Sequence, residues 1–159
     1  MAEKFPVVAT GGTFDEIHLG HISLLAKAFE VGNKVIIGVS SDEFAAKRGK
    51  RLNHNFEHRV ESLKKVIKKE FGDTIEYEIA KLEGNFGPAV TSGAVDALVA
   101  SAETGGKGKT LNEIRAKKGL KPAKIITVEL VRAEDGSPIS SSRIREGEIN
   151  NMGKLLKRR

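Results

Sequence analysis

Hydrophobic residues along this chain form two kinds of pattern, short continuous runs and longer stretches with helical spacing. The runs predict strands at about 5–10, 34–40, 74–79, 94–100 and 124–131. Helical spacing and capping residues predict helices at about 19–31, 56–70 and 110–118, short helices through residue 46 and after Ser140, and a final helix over 150–157. Because strands alternate with helices, we predict an α/β fold, a five-stranded parallel sheet with helices on both faces. The length fits a single domain over 1–159.

The first predicted strand leads into a segment rich in glycine and histidine, GGTFDEIHLGH at residues 11–21. Gly11 and Gly12 predict a turn, and without a Cβ they let a ligand approach the main chain closely. His18 and His21 bracket the predicted helix start, where free backbone N–H groups and the helix dipole favour an anion. The histidines add hydrogen bonds, and positive charge if protonated. Since ligands of parallel sheets bind at the carboxyl ends of the strands, we predict a polyphosphate site here.

A second candidate segment, ISSSRIR at 139–145, lies near the other end of the chain. Serines at a helix start supply caps and leave N–H groups for another anion, and Arg145 can make bidentate contacts with phosphate oxygens. Taken alone, the three serines are more typical of an ordinary N-cap followed by a solvated arginine. Paired with the first segment, it predicts a second anion-binding helix terminus on the same sheet.

Composition narrows the possible functions. The chain has no cysteine, which excludes disulfides, thiolate catalysis and cysteine-based zinc sites. It has no apolar run long enough to span a membrane and no evident signal peptide, so we predict a soluble cytoplasmic protein without a membrane partner. The net charge of +6 comes from basic residues mixed with acidic ones, which favours an anionic small molecule over nucleic acid. We expect no metal site on the two histidines. The oligomeric state does not follow from the sequence.

The two segments together resemble the signatures of a known superfamily. GGTFDEIHLGH resembles the T-x-x-H-x-G-H motif of the nucleotidylyltransferases, and ISSSRIR resembles their I-S-S-T-x-I-R partner motif. Residues 94–118, with Ser101-x-Glu103-Thr104, look like the phosphopantetheine adenylyltransferases of archaea and of eukaryotic CoA synthases. The resemblance implies a Rossmann-like domain that transfers the adenylyl group of ATP to 4′-phosphopantetheine, giving dephospho-CoA and pyrophosphate in coenzyme A biosynthesis.

The resemblance also implies roles for individual residues. The catalytic residues it implies are His18, His21, Thr13, Lys47 and Arg145. The ATP-binding residues it implies are Gly11, Gly12, Thr13, Phe14, His18, His21, Ser101, Glu103, Ser141, Ser142 and Arg145. The phosphopantetheine-binding residues it implies are Thr13, Asp15, Lys47, Arg51 and Arg59. Mg²⁺ is expected to accompany ATP, held mostly by phosphates and water rather than by protein ligands.

Some of these assignments have rivals. In the family a lysine after the second strand meets the acceptor phosphate, and Lys47 is the best match, with Lys50 and Arg51 as competitors. Glu103 is also explained as a helix cap, and Arg59 as a residue on a helix surface.

Two other functions compete with adenylyl transfer to phosphopantetheine. The first is a related enzyme with another acceptor, such as glycerol 3-phosphate with CTP or FMN with ATP. Cytidylyltransferases usually carry Arg-Thr before their C-terminal motif, which the segment 134–141 lacks, and archaeal FAD synthases tend to contain cysteine. The second is a non-catalytic module that binds nucleotides or nucleic acid, suggested by the positive charge.

Overall fold

The described part of the chain alternates strands with helices. The computed structural model describes residues 4–49, 52–84, 95–101 and 107–156. The strands are β1 (Phe5–Gly12), β2 (Gly32–Ser40), β3 (Glu76–Leu82), β4 (Ala97–Ser101) and β5 (Lys124–Val128). The helices are α1 (Leu19–Val31), α2 (Asp42–Lys47), α3 (Phe56–Phe71), α4 (Lys107–Lys117) and α5 (Ser141–Arg145). The predicted α/β class is confirmed, while the single domain over 1–159 stays a prediction.

The five strands form one parallel sheet in the order β3-β2-β1-β4-β5. The central strand β1 therefore has β2 on one side and β4 on the other. The chain adds strands on the β2 side first and then returns past β1 to add β4 and β5. A sheet that reverses its order in this way opens a crevice at the carboxyl ends of the strands. The crevice lies where β1 ends, as the sequence predicts.

The backbone pairing between β1 and β4 is short, and side-chain hydrogen bonds join the two segments on either side of it. The two strands pair at Val8–Ala97 and Ala9–Leu98. On one side of this pairing, the backbone N–H of Val7 donates to Asp96 Oδ2 at 3.0 Å. On the other side, Thr10 Oγ1 donates to the carbonyl of Val99 at 2.8 Å. The backbones are therefore no longer paired where the crevice begins.

Apolar side chains cover both faces of the sheet. Alternate residues of a strand point to opposite faces, and Val8 packs in one core cluster with Leu25 of α1 and Leu63 of α3. Its neighbour Ala9 belongs to a second cluster with Leu111 of α4. Burial of each such leucine stabilises the fold by roughly 1.5–3 kcal/mol. Helices therefore lie on both faces, as predicted.

Several predicted boundaries differ from the observed ones. β3 begins and ends later than 74–79, β4 starts at Ala97, and β5 ends at Val128 rather than at 131. Helix α4 begins at Lys107, so the capping pattern at 110–113 falls inside the helix. A Cβ on Gly108 would lie 2.6 Å from Ile125 Cγ1, which shows how closely this early turn packs on β5.

The final helix predicted over 150–157 is wrong. Asn150 Oδ1 accepts hydrogen bonds from the backbone N–H groups of Met152 and Lys154. The chain turns there, and Ile149 pairs with Leu155 as an antiparallel bridge. A short polar side chain that binds nearby backbone groups competes with helix formation. Across the described residues, no helix combines the length and the apolar character needed to cross a membrane.

Candidate active site

A cavity of about 330 Å³ lies at the carboxyl ends of the central strands. Its volume is in the range of small-molecule sites. The predicted residues that line it come from both motifs and from the end of β4: Gly11, Gly12, Thr13, Asp15, His18, His21, Ser101, Ser141, Ser142 and Arg145. Phe14 is buried outside this lining, and Glu103 lies outside the described residues. The fold therefore brings the two ends of the chain together around one space.

The two histidines cap the helix that they introduce. His18 is the N-cap of α1, and its Nδ1 accepts a hydrogen bond from the backbone N–H of Gly20 at 3.0 Å. His21 Nδ1 accepts from the backbone N–H of His18 at 3.2 Å. The two rings stack with their centroids 3.9 Å apart. This reciprocal cap resembles a capping box built from imidazoles instead of hydroxyl and carboxylate groups, and it fixes both rings at the cavity wall.

The cap determines how His18 can act. Because its Nδ1 accepts a hydrogen bond, the neutral ring carries its proton on Nε2. Burial lowers the pKa of His18 from 6.5 to about 4. His18 is therefore neutral at pH 7 and offers an Nε2–H donor rather than the positive charge that the sequence also allowed.

Gly20 is required by the cap. A Cβ at this position would lie 2.8 Å from His18 Cε1 and 2.9 Å from His18 Nδ1. Those distances are well inside van der Waals contact, and the His18 ring is also stacked on His21. The glycine of the H-x-G-H pattern therefore makes room for the first histidine.

Phe14 packs against His21. Its ring is fully buried, and its centroid lies 4.9 Å from that of His21. The backbone of Phe14 has φ +54°, a left-handed conformation that is unusual for a bulky residue and is strained. The side chain of Phe14 is thus used in packing, and its contact with ATP stays a prediction.

Gly11 and Gly12 do not form the predicted turn. Both belong to β1, where Gly11 pairs with Gly38 and Gly12 with Val39 of β2. A Cβ on Gly11 would lie 3.0 Å from the Gly38 carbonyl oxygen, and one on Gly38 would lie 2.7 Å from three carbon atoms of Leu82. The paired glycines therefore allow the side chain of Leu82 to pack closely on the backbones of β1 and β2 at the cavity wall.

Asp15 joins three parts of the chain. Its carboxylate accepts hydrogen bonds from the backbone N–H groups of Asn53 (3.1 and 3.0 Å) and His54 (3.0 Å). It also accepts one from Arg145 Nη1 at 2.9 Å, and its side chain is fully buried. The sequence predicts that Asp15 binds phosphopantetheine, and the structure shows its carboxylate engaged with the protein.

Arg59 is buried and binds groups of the protein itself, so its predicted contact with the acceptor has no support in the described geometry. The side chain has no exposed surface and does not line the cavity. Its guanidinium donates to four groups at 2.7–3.1 Å: the carbonyls of Thr13, Ser40 and His54, and Asp42 Oδ1. It thereby ties the ends of β1 and β2 to the starts of α2 and α3, and the alternative surface role is wrong as well.

The basic residue that α2 brings to the cavity is Arg48. Arg48 lines the cavity beside Phe44, and its Cζ lies 5.5 Å from the centroid of that ring. Lys47 is exposed and does not line the cavity. Lys50 and Arg51 lie outside the described residues. Sequence reasoning missed Arg48, and the signal available for it was only its place directly after a short helix.

The two arginines of ISSSRIR have different surroundings. Ser140 caps α5 by accepting from the backbone N–H of Arg143, as predicted. The Arg143 side chain is bound by Asp135 and Glu148, and hydrogen bonding from Arg143 lowers the pKa of Asp135. Arg145 instead lines the cavity, next to Asp15 and Ser142. Within the described residues, no three His, Asp or Glu side chains are grouped so that they could hold a metal.

The chain is similar to known proteins over nearly its whole length. Residues 9–147 match the family model described as cytidylyltransferase-like. The chain is 43% identical to a phosphopantetheine adenylyltransferase of Methanothermobacter thermautotrophicus, with 99% of this chain and 94% of that protein covered. It is 40% identical to another of the same name from Methanopyrus kandleri, with 92% of each covered.

A solved structure shares the fold. It is a protein of unknown function from Archaeoglobus fulgidus, 32% identical, with a TM-score of 0.70 over 77% of this chain and 88% of that one. Together with the cavity that joins GGTFDEIHLGH to ISSSRIR, these matches show that the chain belongs to the cytidylyltransferase-like family and, within it, to the phosphopantetheine adenylyltransferases.

Proposed function

We propose that the chain transfers the adenylyl group of ATP to the phosphate of 4′-phosphopantetheine, forming dephospho-CoA and pyrophosphate. The observation that carries this function is the single cavity where His18 and His21 meet Ser141, Ser142 and Arg145. A triphosphate can contact both groups at once. The relatives that cover nearly the whole chain carry the corresponding name. The cytoplasmic location and the absence of nucleic-acid partners stay predictions.

The residues present suit a reaction that needs no activated side-chain nucleophile. The acceptor phosphate oxygen forms the new bond to the α-phosphorus of ATP. The bond from that phosphorus to the bridging oxygen breaks, and pyrophosphate leaves with the electron pair. The protein then has to position the two phosphates and stabilise the charge that develops on the α-phosphate.

We assign the α-phosphate to the start of α1. The Nε2–H donor of neutral His18 is held at the cavity wall by the Nδ1 cap, so it requires little reorganisation during the reaction. His21 and Thr13 line the same wall. Because Thr13 immediately precedes strained Phe14, its backbone is fixed where the strand ends.

We assign the β- and γ-phosphates to α5 and the base and ribose to the end of β4. Ser141, Ser142 and Arg145 supply hydroxyl and guanidinium donors, and Ser101 lines the cavity beside the apolar ends of β4 and β5. Mg²⁺ would enter with ATP and neutralise phosphate charge. The Asp15 carboxylate is already engaged, so we expect phosphates and water to hold the ion.

For the acceptor phosphate we propose Arg48 in place of Lys47. Arg48 reaches the cavity from the β2 side of the sheet, whereas Arg145 reaches it from the segment after β5. Two cations on opposite sides of β1 would hold the acceptor phosphate and the leaving pyrophosphate apart. Phe44 and Leu82 add apolar surface beside Arg48 that suits the alkyl and amide groups of the pantetheine arm.

The experiment combines each nucleotide with each candidate acceptor. ATP or CTP is incubated with 4′-phosphopantetheine, glycerol 3-phosphate or FMN, pyrophosphate is measured, and the product is identified by mass. We expect turnover only with ATP and 4′-phosphopantetheine, and a loss of about 10²–10³-fold in kcat for His18→Ala. Equal turnover with another pair, or near-normal turnover in His18→Ala, would contradict the proposal.

A further inference from the structure

The Asp15 carboxylate is a buried charge that the reaction itself does not need. Its side chain has no exposed surface, and its oxygens accept hydrogen bonds from two backbone N–H groups and from Arg145. A buried carboxylate is costly unless such partners compensate it. The position of this charge is therefore determined by the residues that it joins.

Arg145 depends on Asp15 for its attachment to the rest of the site. Arg145 belongs to α5, a helix of only five residues. In the described part of the structure, its Nη2 donates to Ser142 Oγ of the same helix at 3.2 Å, and its Nη1 donates to Asp15. The Asp15 contact thus connects this guanidinium to the segment that carries the histidines.

Asp15 itself is fixed from its other side. The N–H groups of Asn53 and His54 donate to it, while the carbonyl of His54 accepts from Arg59 Nε at 3.1 Å. Arg59 also binds the carbonyl of Thr13, two residues before Asp15. The carboxylate is therefore held in a closed ring of contacts that does not include Arg145.

We propose that Asp15 is a positioning residue for ATP binding, holding the Arg145 guanidinium in place before the nucleotide arrives. The proposal rests on the proposed function, because it assigns Arg145 to the ATP phosphates. A guanidinium has five N–H donors, so contacts with Asp15 and Ser142 leave donors for phosphate oxygens. Fixing a long side chain in advance removes an ordering cost from binding, which corresponds to about three- to tenfold in affinity.

The substitution Asp15→Asn separates the two sides of this carboxylate. Its amide oxygen can replace the oxygen that accepts from Asn53 and His54, Oδ1. Its amide nitrogen then replaces Oδ2, which accepts from Arg145, and a nitrogen donor cannot accept that bond. The variant keeps the bonds that Oδ1 accepts from Asn53 and His54, and it loses those at Oδ2, from Arg145 and from the Asn53 N–H at 3.0 Å.

The test is a double-mutant cycle on nucleotide affinity. Binding of α,β-methylene-ATP, which cannot release pyrophosphate, is measured by calorimetry for wild type, Asp15→Asn, Arg145→Ala and the double variant. We expect Asp15→Asn to weaken binding about three- to tenfold in the wild-type background and to have no further effect beside Arg145→Ala. An equal effect in both backgrounds, or tighter binding in Asp15→Asn, overturns the proposal.

Asp42→Asn is the matched control. It removes the negative charge of the carboxylate that accepts from Arg59 Nη2 at 2.7 Å, a guanidinium contact in the same network that does not involve Arg145. We expect the affinity of Asp42→Asn for the nucleotide to stay within twofold of wild type. A loss equal to that of Asp15→Asn would show a general effect on the network and would contradict a specific role for Asp15.

A second measurement needs no substitution at Asp15. In ¹⁵N NMR spectra of the nucleotide-free wild type, the Arg145 guanidinium signals are assigned by their loss in Arg145→Lys. We expect resolved, slowly exchanging signals, and averaged signals would overturn the proposal. These binding measurements require no turnover, so a wild-type chain that binds the nucleotide but forms no dephospho-CoA would contradict the proposed activity alone.

Discussion

Replacing Gly20 by alanine separates the stability of the fold from catalysis. The new Cβ would lie 2.8 Å from Cε1 of the His18 ring and 2.9 Å from its Nδ1. The ring is buried and is stacked on His21, so it cannot move aside without leaving its cap. We therefore expect the Nε2–H donor of His18 to be displaced from the cavity wall.

Two effects on stability oppose each other in this variant. Loss of the N-cap hydrogen bond costs about 1 kcal/mol. Alanine in the first turn of α1 has a helix propensity about 1 kcal/mol better than that of glycine. The free energy of unfolding should then change by less than about 1 kcal/mol. Displacement of one preorganised donor should lower kcat by about 10²–10³-fold.

The assay is pyrophosphate release at saturating substrates, with urea unfolding on the same preparations. Gly84→Ala is the control, because a Cβ there has no atom of the described residues within 4 Å and its backbone does not require glycine. Gly84→Ala should match wild type in both measurements. Turnover of Gly20→Ala within threefold of wild type would falsify the role assigned to the cap.

Three further predictions concern His18, the buried Arg59 and the cavity-lining Arg48. The pKa of His18 is lowered from 6.5 to about 4, so the folded chain binds fewer protons than the unfolded one, and about 3 kcal/mol of stability should disappear as the pH falls from about 7 to 4. Urea unfolding across this range should show a smaller loss for His18→Asn. Arg59→Ala should lower the free energy of unfolding by about 3 kcal/mol, because carbonyls and a carboxylate lose their donor, and a loss below 1 kcal/mol in urea unfolding contradicts this. Arg48→Ala should raise the KM for phosphopantetheine about tenfold or more, while Lys47→Ala should leave this KM unchanged. The reverse pattern in steady-state kinetics would assign the acceptor phosphate to Lys47 instead.

The sequence predicts the parts of the fold that depend on local pattern. The apolar runs of β1 and β2 and the helical spacing of α1 place these elements correctly, because strand burial and helix faces impose strict periods. The cap at Ser140 was also predictable, since a serine before a helix start has few alternative roles. The two motifs predict that the cavity joins both ends of the chain.

Other features depend on contacts that the local sequence does not contain. Gly11 and Gly12 look like a turn, but a Cβ on Gly11 would meet Gly38 and Leu82, which lie far along the chain, and one on Gly12 would meet the Phe14 ring. Arg59 shares helical spacing with buried Leu63 and Ile67, but its charge favours the surface, and only the fold places the Thr13 and Ser40 carbonyls around it. The contacts of Asp15 could not be predicted for the same reason, because its partners come from two distant segments.

The short pairing of β1 with β4 gives the sheet a seam. On either side of it, β1 pairs with β2 over seven positions and β4 with β5 over five, whereas the seam has two. A nucleotide that lies across the cavity would contact residues from both sides of this seam, and it would thereby link the β1–β2 part of the sheet to the β4–β5 part. Amide protons of β4 and β5 should therefore exchange more slowly with deuterium in the nucleotide complex. The substrate would then supply contacts across the sheet where backbone hydrogen bonds are few.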